Sequence, residues 1–475
     1  MIQPHLLKLL TPNGPLHKRT ERDVFTSRDA ELRAKSAGAL RELAIRPGIQ
    51  TPSLISSCSG SIDAVLFSFP RYGVTDRSLA AGYQSVIRAL RQGTEFVVVV
   101  AKSSRTAVER WFTAAGHGLK QVTFVPLPDY VSFTDWAEDG YVSLVDASDE
   151  SRYLLEPWEF PRAADSLIAE SVQEYTATRA AQAPLIFQGG NCLVGSDFWF
   201  LGKDYFADSV ELINQSRAPV QIPGGTTAER FARQLFSDYV DSTRRLVVVG
   251  TRRPIPIRPF YGTRSEDEYF LDIAAEGAGT FQPIFHIDMF VTLIGEGRSG
   301  GFEVFVGSPA LGDVLTGRVA PFSLDDVYDT IATSLSASGF TVHRNPLVHR
   351  PASGQQLTLA VLQEAAASAE NADLGPAVDE LVAAGATGST LVTVRSWHHV
   401  TWNNCLVENS AVLGKHVYLP TYGHGSNADL KPVDEEMKRL WEQQEFTVHS
   451  LGDFNRFAER QGAVHCIKKY LRRGK

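Results

Sequence analysis

Short apolar runs alternate with amphipathic stretches along the chain from about residue 60 onward. The runs at 63–69, 95–101 and 121–128 are typical of buried strands, and the stretches at 77–92 and 105–118 have helical spacing. The same rhythm predicts later strands and helices, at 183–188, 245–250, 283–295, 301–307, 325–339 (helix), 341–348, 389–397, 416–422, 433–444 (helix) and 446–451. Strands and helices interspersed in this way predict an α/β fold.

The N-terminal part of the chain has a different character. Residues 1–60 are charged and polar, with a helical pattern at 29–44, and are predicted to form an arm or extension. No linker rich in Ser, Gly or Pro divides the remainder, so residues 61–475 are expected to form one large α/β domain that carries the catalytic residues. The alanine-rich segment 361–388 reads as a helical insertion within it.

Composition and charge narrow the class of protein. The chain is 43% apolar and 21% charged, as an ordinary globular protein is, and its net charge is −8. This charge argues against a general nucleic-acid binder and suits an enzyme with a small cationic substrate. We read no membrane span and no signal peptide, expect a cytoplasmic location, and regard a homo-oligomer as compatible with the sequence.

The four cysteines form no CxxC pair, so neither a zinc module nor a disulfide framework is expected. No HxH or HExxH spacing is present, and we expect no metal and no cofactor. Cys466 lies beside His465 near the end of the chain. If 462–470 is a strand, these two side chains point to opposite faces, and the base for Cys466 must come from elsewhere. A buried structural cysteine is the alternative.

Two other segments place carboxylates among apolar residues. Asp135, Glu138 and Asp139 cluster with Trp136 after the strand at 121–128. They form either a solvated acidic loop or a pocket in which one carboxylate holds a cation. In the predicted strand 283–295, His286 and Asp288 share one face. His286 alone would be an ordinary core histidine, but a buried Asp288 needs a charged partner.

The glycine pair at 189–190 follows another predicted strand. Gln188 and Asn191 flank it, and the pair is not part of a GxGxxG pattern, so it is not a dinucleotide fingerprint. The segment is either a hairpin turn or a place where the backbone closely approaches another group.

Together these residues supply one thiol, one histidine and two carboxylates, a set suited to a guanidinium. Carboxylates can grip its N–H fork bidentately, and its positive charge favours the Cys466 thiolate. His286 can protonate the leaving amine and then activate water. The carbon needs no metal to polarise it.

The motifs "DWAEDG", "HIDMF" and "QGAVHC" resemble those of the guanidine-modifying pentein superfamily, most of all its agmatine, arginine and peptidylarginine deiminases. The resemblance implies a β/α-propeller of about five ββαβ-type modules around a central active site. It further implies Asp139 and Asp288 as guanidinium ligands, His286 as acid/base and Cys466 as nucleophile. "TWNNCLVENSAVLGKHVYLP" adds Asn404, and Gln188, Asn191 and Trp136 complete the expected substrate-binding residues.

The sequence also departs from the family pattern. Gln188 stands where agmatine and arginine deiminases usually carry Glu, and Glu138 replaces the usual basic residue before Asp139. A deiminase acting on an arginine-like or agmatine-like guanidine is the predicted function. An amidinotransferase using the same covalent intermediate, and a non-catalytic binding protein with this fold, remain alternatives.

Overall fold

The computed structural model describes residues 49–474 apart from 216–218, 256–257, 275–278 and 299. The helix predicted at 29–44 lies outside the described residues. The strand β1 (Pro52–Leu54) falls within the range predicted as an arm and pairs with a strand at 142–146. None of the described helices is long and apolar enough to cross a membrane.

Twenty strands, numbered along the chain, form five sheets in the described part of the protein. The first sheet has four strands and the second has three: β1, β5 (Val142–Asp146), β6 (Arg152–Glu156) and β7 (Arg179–Gln182); then β8 (Cys192–Val194), β9 (Phe198–Gly202) and β10 (Arg245–Val249). The third is six-stranded: β11 (Phe260–Ser265), β12 (Glu268–Ile273), β16 (Leu391–Thr401), β15 (Thr341–Thr358), β14 (Phe302–Ser308) and β13 (Val291–Glu296). The last two are β17 (Leu406–Ser410), β18 (Gly414–Thr421) and β19 (Thr447–Asp453); then β20 (Lys468–Arg473), β2 (Ile62–Phe69), β3 (Glu95–Ala101) and β4 (Val122–Leu127).

Each sheet contains the same unit: an antiparallel strand pair, a helical connection and a strand parallel to the second of the pair. The five units are β5–β6–β7, β8–β9–β10, β13–β14–β15, β17–β18–β19 and β20–β2–β3. The α-helices are Arg71–Thr75, Arg77–Ala89, Arg105–Ala114, Ile168–Tyr175, Lys203–Asn214, Ala228–Tyr239, Pro309–Thr316, Asp325–Ala337, Leu359–Ala366, Gly375–Ala383, Lys431–Gln443 and Asn455–Ala458. This repeat confirms the predicted ββαβ modules.

The fifth unit joins the two ends of the described chain. Its first strand, β20, comes last in the sequence and pairs antiparallel with β2. β3 then lies between two parallel neighbours, which explains its almost unbroken valine run, since a parallel strand covered on both faces has no polar side to present. The closure places the C-terminal residues beside segments from the beginning of the fold.

The segment 361–388, read from the sequence as a helical insertion, overlaps the two α-helices Leu359–Ala366 and Gly375–Ala383. Helix Gly375–Ala383 packs on β11 and β12, and both it and helix Leu359–Ala366 share an apolar cluster with β11, β12 and β16. β15 and β16 extend out of the third unit as a long antiparallel hairpin to reach them. The insertion therefore has a small core of its own beside the five units.

One predicted strand is absent and two begin later than predicted, and all three of these segments carry or lead into candidate site residues. Residues 183–188 follow β7 without joining a sheet, β13 begins only at Val291, and β20 begins only at Lys468. His286 therefore lies before a 3₁₀ turn at Ile287–Met289. These segments are apolar because they are buried, and burial rather than strand pairing produced the pattern that resembles a strand.

Candidate active site

The site is built from the connections between successive units. Asp139 follows β4, Gln188 follows β7, His286 follows β12, Asn404 follows β16 and Cys466 follows β19. Because each of these connections leads from one unit to the next, residues far apart in sequence meet in one buried place.

The loop carrying Cys466 is held by one side chain. The Asn404 Oδ1 accepts backbone N–H groups from Ala463 (3.1 Å), His465 (2.9 Å) and Cys466 (3.2 Å). The Nδ2 of Asn404 lies 3.0 Å from the Cys466 Sγ and donates to it. Asn404, expected to bind substrate, thus shapes the loop and points a donor at the sulfur.

The Cys466 side chain is buried at 3% exposure. Burial, with the negative charges of Asp288 and Asp139, raises the pKa of the thiol well above its usual value. The sulfur is therefore a thiol at neutral pH when no cation is bound. A positive charge beside it would favour the thiolate.

A second asparagine holds the loop that carries His286. The Asn191 Nδ2 donates to the Phe285 carbonyl (2.7 Å), and its Oδ1 accepts from the Ile287 N–H (3.0 Å). A Cβ atom at Gly190 would overlap the His286 imidazole, so glycine is required there. Both polar atoms of Asn191, expected to bind substrate, are used to position this loop.

The two nitrogens of His286 have different surroundings. Its Nε2 is 2.8 Å from the Gln188 Oε1, and because that oxygen accepts, Nε2 carries the hydrogen. Its Nδ1 is then an acceptor and lies 3.7 Å from the Asp139 Oδ1. Burial and the nearby Arg162 lower the pKa of His286 to about 3, so the ring is neutral.

One oxygen of Asp139 is already occupied. Arg162 donates from Nη2 to the Asp139 Oδ2 (2.8 Å) and from Nε to the Asp165 Oδ2 (2.6 Å). Burial raises the pKa of Asp139, and the Arg162 charge opposes that rise. Nothing in the sequence singled out Arg162, since the segment between β6 and its following helix lacks a periodic pattern.

Asp288 is occupied in the same one-sided way. The His465 Nδ1 lies 2.8 Å from the Asp288 Oδ2, and the Cys466 thiol donates to that oxygen at 3.8 Å. Burial raises the pKa of Asp288 well above its usual value. The prediction that His465 and Cys466 face apart was wrong, because they lie in a turn and not in a strand.

Three buried acceptors in the site receive no hydrogen bond from any residue that the structure describes: Asp139 Oδ1, Asp288 Oδ1 and His286 Nδ1. Buried polar atoms are nearly always paired, because an unpaired one retains the cost of losing water. These three, beside the thiol, can receive a planar cation with several N–H groups.

The other two carboxylates of the 135–139 segment, those of Asp135 and Glu138, have both oxygens hydrogen-bonded. Both Asp135 oxygens accept from Arg460, and the two Glu138 oxygens accept from Lys468 (2.8 Å) and Lys469 (2.7 Å). Their charges are satisfied within the protein. The sequence reading missed both lysines, because a basic stretch after Cys466 looks like a solvated tail.

Trp136, expected to bind substrate, packs against the loop that carries Cys466. Its ring packs where a Cβ at Gly462 would stand, and the Arg460 guanidinium lies 5.0 Å from the ring centre. Across the described ranges, no group of three or more His, Cys, Asp or Glu residues is arranged to hold a metal ion.

Comparison with known proteins identifies the fold. No protein-family model matches the sequence, and no curated protein matches it. The structure is similar to a provisionally named agmatine deiminase, with 15% identity and a TM-score of 0.52 over 88% of this chain and 95% of that chain. It is also similar to a provisionally named peptidyl-arginine deiminase (11%, 0.51, 89% and 99%) and to the agmatine deiminase of Enterococcus faecalis (12%, 0.51, 89% and 98%). The chain therefore has the pentein fold, as its motifs predicted.

Proposed function

We propose that the protein is a guanidine-modifying enzyme that uses Cys466 as nucleophile. The observation that carries this proposal is the set of three buried acceptors without donors beside the thiol. A guanidinium brings one positive charge and several N–H groups in one plane, so it suits two carboxylate oxygens and an imidazole nitrogen. The activities named for the proteins with similar folds agree with this chemistry.

The proposed grip differs from the one expected from sequence. Each carboxylate has one oxygen held by the protein, so Asp139 and Asp288 would each accept from the guanidinium through Oδ1 alone. Two single contacts from different connections replace one bidentate fork. The guanidinium charge offsets two buried anions whose pKa values burial has raised.

The proposed chemistry begins when the bound cation makes the thiol more acidic. The Cys466 sulfur forms a bond to the guanidinium carbon, and one C–N bond then breaks. The proton lost by the thiol is carried by His286 to the departing nitrogen. Ammonia leaves, and a thiouronium with the original positive charge remains on Cys466.

In the second half, water adds to the thiouronium carbon while His286 takes a proton from it. The C–S bond breaks, the thiol is restored, and a ureido product and one proton are released. The two half-reactions together make up a deiminase reaction. Gln188 holds the Nε2–H of His286, and as a neutral group it stabilises the imidazolium less than a carboxylate would.

The pairing of buried cations supports an agmatine-like substrate. Arg162 is bound to two aspartates, Arg460 to Asp135, and both Lys468 and Lys469 to Glu138. A substrate carboxylate that approached any of these four buried cations would have to compete with the carboxylate that already pairs with it. A guanidine without an adjacent carboxylate avoids that cost.

Ammonia release from agmatine, arginine, methylarginines and arginine peptides tests the proposal. We expect the purified protein to release ammonia from agmatine and to give a product one mass unit heavier, and the Cys466→Ala variant to release none. Activity that survives in Cys466→Ala would refute the nucleophile. An amidine transferred to an added amine would identify the amidinotransferase alternative, and no reaction with any guanidine would favour the binding protein.

A further inference from the structure

Arg162 places a guanidinium of the protein itself on a carboxylate of the site. On the basis of the proposed function, we propose that Arg162 is a specificity-determining residue. It occupies the Asp139 Oδ2, so a substrate can bind only one oxygen of this carboxylate instead of two. Its contact with the Asp139 Oδ2 is 2.8 Å, and the Arg162 side chain is only 6% exposed.

The position of Arg162 is fixed from several sides. Its Nε donates to the Asp165 Oδ2 at 2.6 Å. Asp165 in turn accepts from both the backbone N–H and the hydroxyl of Thr134, each at 2.6 Å. The guanidinium also lies 4.8 Å from the ring centre of Phe160. A side chain held in this way is part of the site wall, and substrate does not have to displace it.

The consequence for recognition is geometric. A carboxylate with two open oxygens selects guanidines that present two parallel N–H groups. Asp139 with one open oxygen needs only one N–H on that side. We therefore expect the protein to accept a guanidine carrying one methyl group on a terminal nitrogen, and to lose part of that tolerance when Arg162 is removed.

The charge of Arg162 also acts on affinity and on His286. The charged or titratable side chains around that imidazole are Asp139, Glu138, Arg162, Lys469, Tyr205 and His465. Arg162 is a fixed positive charge within this set, so it disfavours both a bound cation and a protonated His286. Replacing it with a neutral residue should raise the pKa of both His286 and Asp139, and should strengthen cation binding at a pH where Asp139 stays ionised.

The test combines equilibrium binding with a pH profile. In a Cys466→Ala background, calorimetry at a pH high enough to keep Asp139 ionised should show agmatine binding roughly tenfold tighter after Arg162→Gln. With Cys466 intact, Arg162→Gln should lower kcat and move the acidic limb of kcat/KM up by about one pH unit. Arg162→Lys keeps the charge and should keep that limb in place. Arg460→Gln removes another buried arginine–aspartate pair and serves as the matched control, with no upward shift expected.

The outcomes separate the two proposals. Weaker agmatine binding in Arg162→Gln, or an unshifted acidic limb in an active variant, would overturn the role of Arg162 and leave the proposed function intact. An inactive wild type would overturn the proposed function. If that inactive protein still binds agmatine, the binding comparison in the Cys466→Ala background decides whether Arg162 restricts Asp139, and if it binds no agmatine, the proposed role of Arg162 is overturned as well.

Discussion

Asp135 and Asp139 stand four residues apart in one buried segment, and each is paired with a buried arginine. Asp135 gives both oxygens to Arg460 and also accepts from the Tyr72 hydroxyl at 2.7 Å. Asp139 gives one oxygen to Arg162 and keeps the other unpaired among the described residues. The same kind of ion pair is thus complete at one end of the segment and incomplete at the other.

The difference shows how a structural carboxylate is distinguished from one prepared for a ligand. Removing either partner of a complete buried pair destabilises the fold, because the remaining charge is left without a counter-charge. An incomplete pair keeps an unfavourable acceptor, which a ligand can satisfy. Burial alone would raise the pKa of both carboxyls. The contacts of Asp135 outweigh that effect and lower its pKa, whereas the pKa of Asp139 stays raised.

The largest expected effect comes from exchanging the two aspartates for asparagine. Asp139→Asn should lower kcat/KM for agmatine by about a thousandfold or more, because it removes a charge that the bound guanidinium needs. Asp135→Asn should instead destabilise the protein by about 3–5 kcal/mol, since it leaves Arg460 buried without a counter-charge. Steady-state kinetics and urea unfolding measure the two effects. Equal activity losses in two folded variants would contradict the comparison.

Glu138 extends the comparison to the residue between them. Both of its oxygens are paired with buried lysines, so Glu138→Gln should cost about 3 kcal/mol or more in unfolding free energy. The variant should bind agmatine within about threefold of wild type, because Glu138 offers no open acceptor. Binding lost in a well-folded Glu138→Gln variant, measured by calorimetry, would assign Glu138 to the ligand site.

The open oxygen of Asp288 predicts a pH dependence of ligand binding. Burial raises the pKa of this carboxyl in the folded state, so the folded protein takes up a proton before the unfolded chain does as pH falls. The unliganded protein therefore gains stability from Asp288 on acidification, while agmatine loses an anionic partner. The increase in Tm caused by agmatine should therefore shrink as the pH is lowered from the alkaline range.

The control for this effect is Asp288→Asn, in which the agmatine-induced Tm increase should be small at every pH. A Tm increase in wild type that grows on acidification would mean that Asp288 is not an anionic ligand of the guanidinium.

The smallest effect concerns unpaired buried atoms on β16. Neither ring nitrogen of His399 receives a partner from the described residues, and burial lowers its pKa well below the usual value. The unfolded chain therefore binds the proton first, and His399 should make stability fall as pH drops below about 6.5. His399→Leu should flatten that dependence by about 1 kcal/mol and leave agmatine turnover unchanged. A loss of turnover would show that His399 contributes to activity, and that an unpaired buried atom is by itself enough to identify a functional residue.

Local patterns in the sequence were sufficient for the units and insufficient for the loops between them. The valine run of β3 could be recognised because its parallel neighbours bury both of its faces. The loops that carry His286 and Cys466 are also buried, but their backbone groups bond to Asn191 and Asn404 instead of a neighbouring strand. Side chains distant in sequence provide these bonds, so a local apolar pattern is read as a strand.

The predicted site residues lie together in the structure, but the sequence does not show which of their polar atoms are already hydrogen-bonded. The predicted Cys466, His286, Asp139 and Asp288 do meet, yet the sequence held no sign that each carboxylate already has one oxygen occupied. Arg162 and His465, which occupy them, come from a loop without periodicity and from a turn expected to be a strand. Which oxygen stays open depends on contacts between units, and these exist only after the units close.

The most direct test of the account is to identify what becomes attached to Cys466. The protein would be mixed with agmatine, quenched in acid within one turnover, digested, and analysed by mass spectrometry of the peptide that carries Cys466. The account predicts a peptide heavier by the mass of agmatine less ammonia, absent from Cys466→Ala and from Asp139→Asn. An unmodified Cys466 peptide during active turnover, or an adduct on another residue, would contradict it.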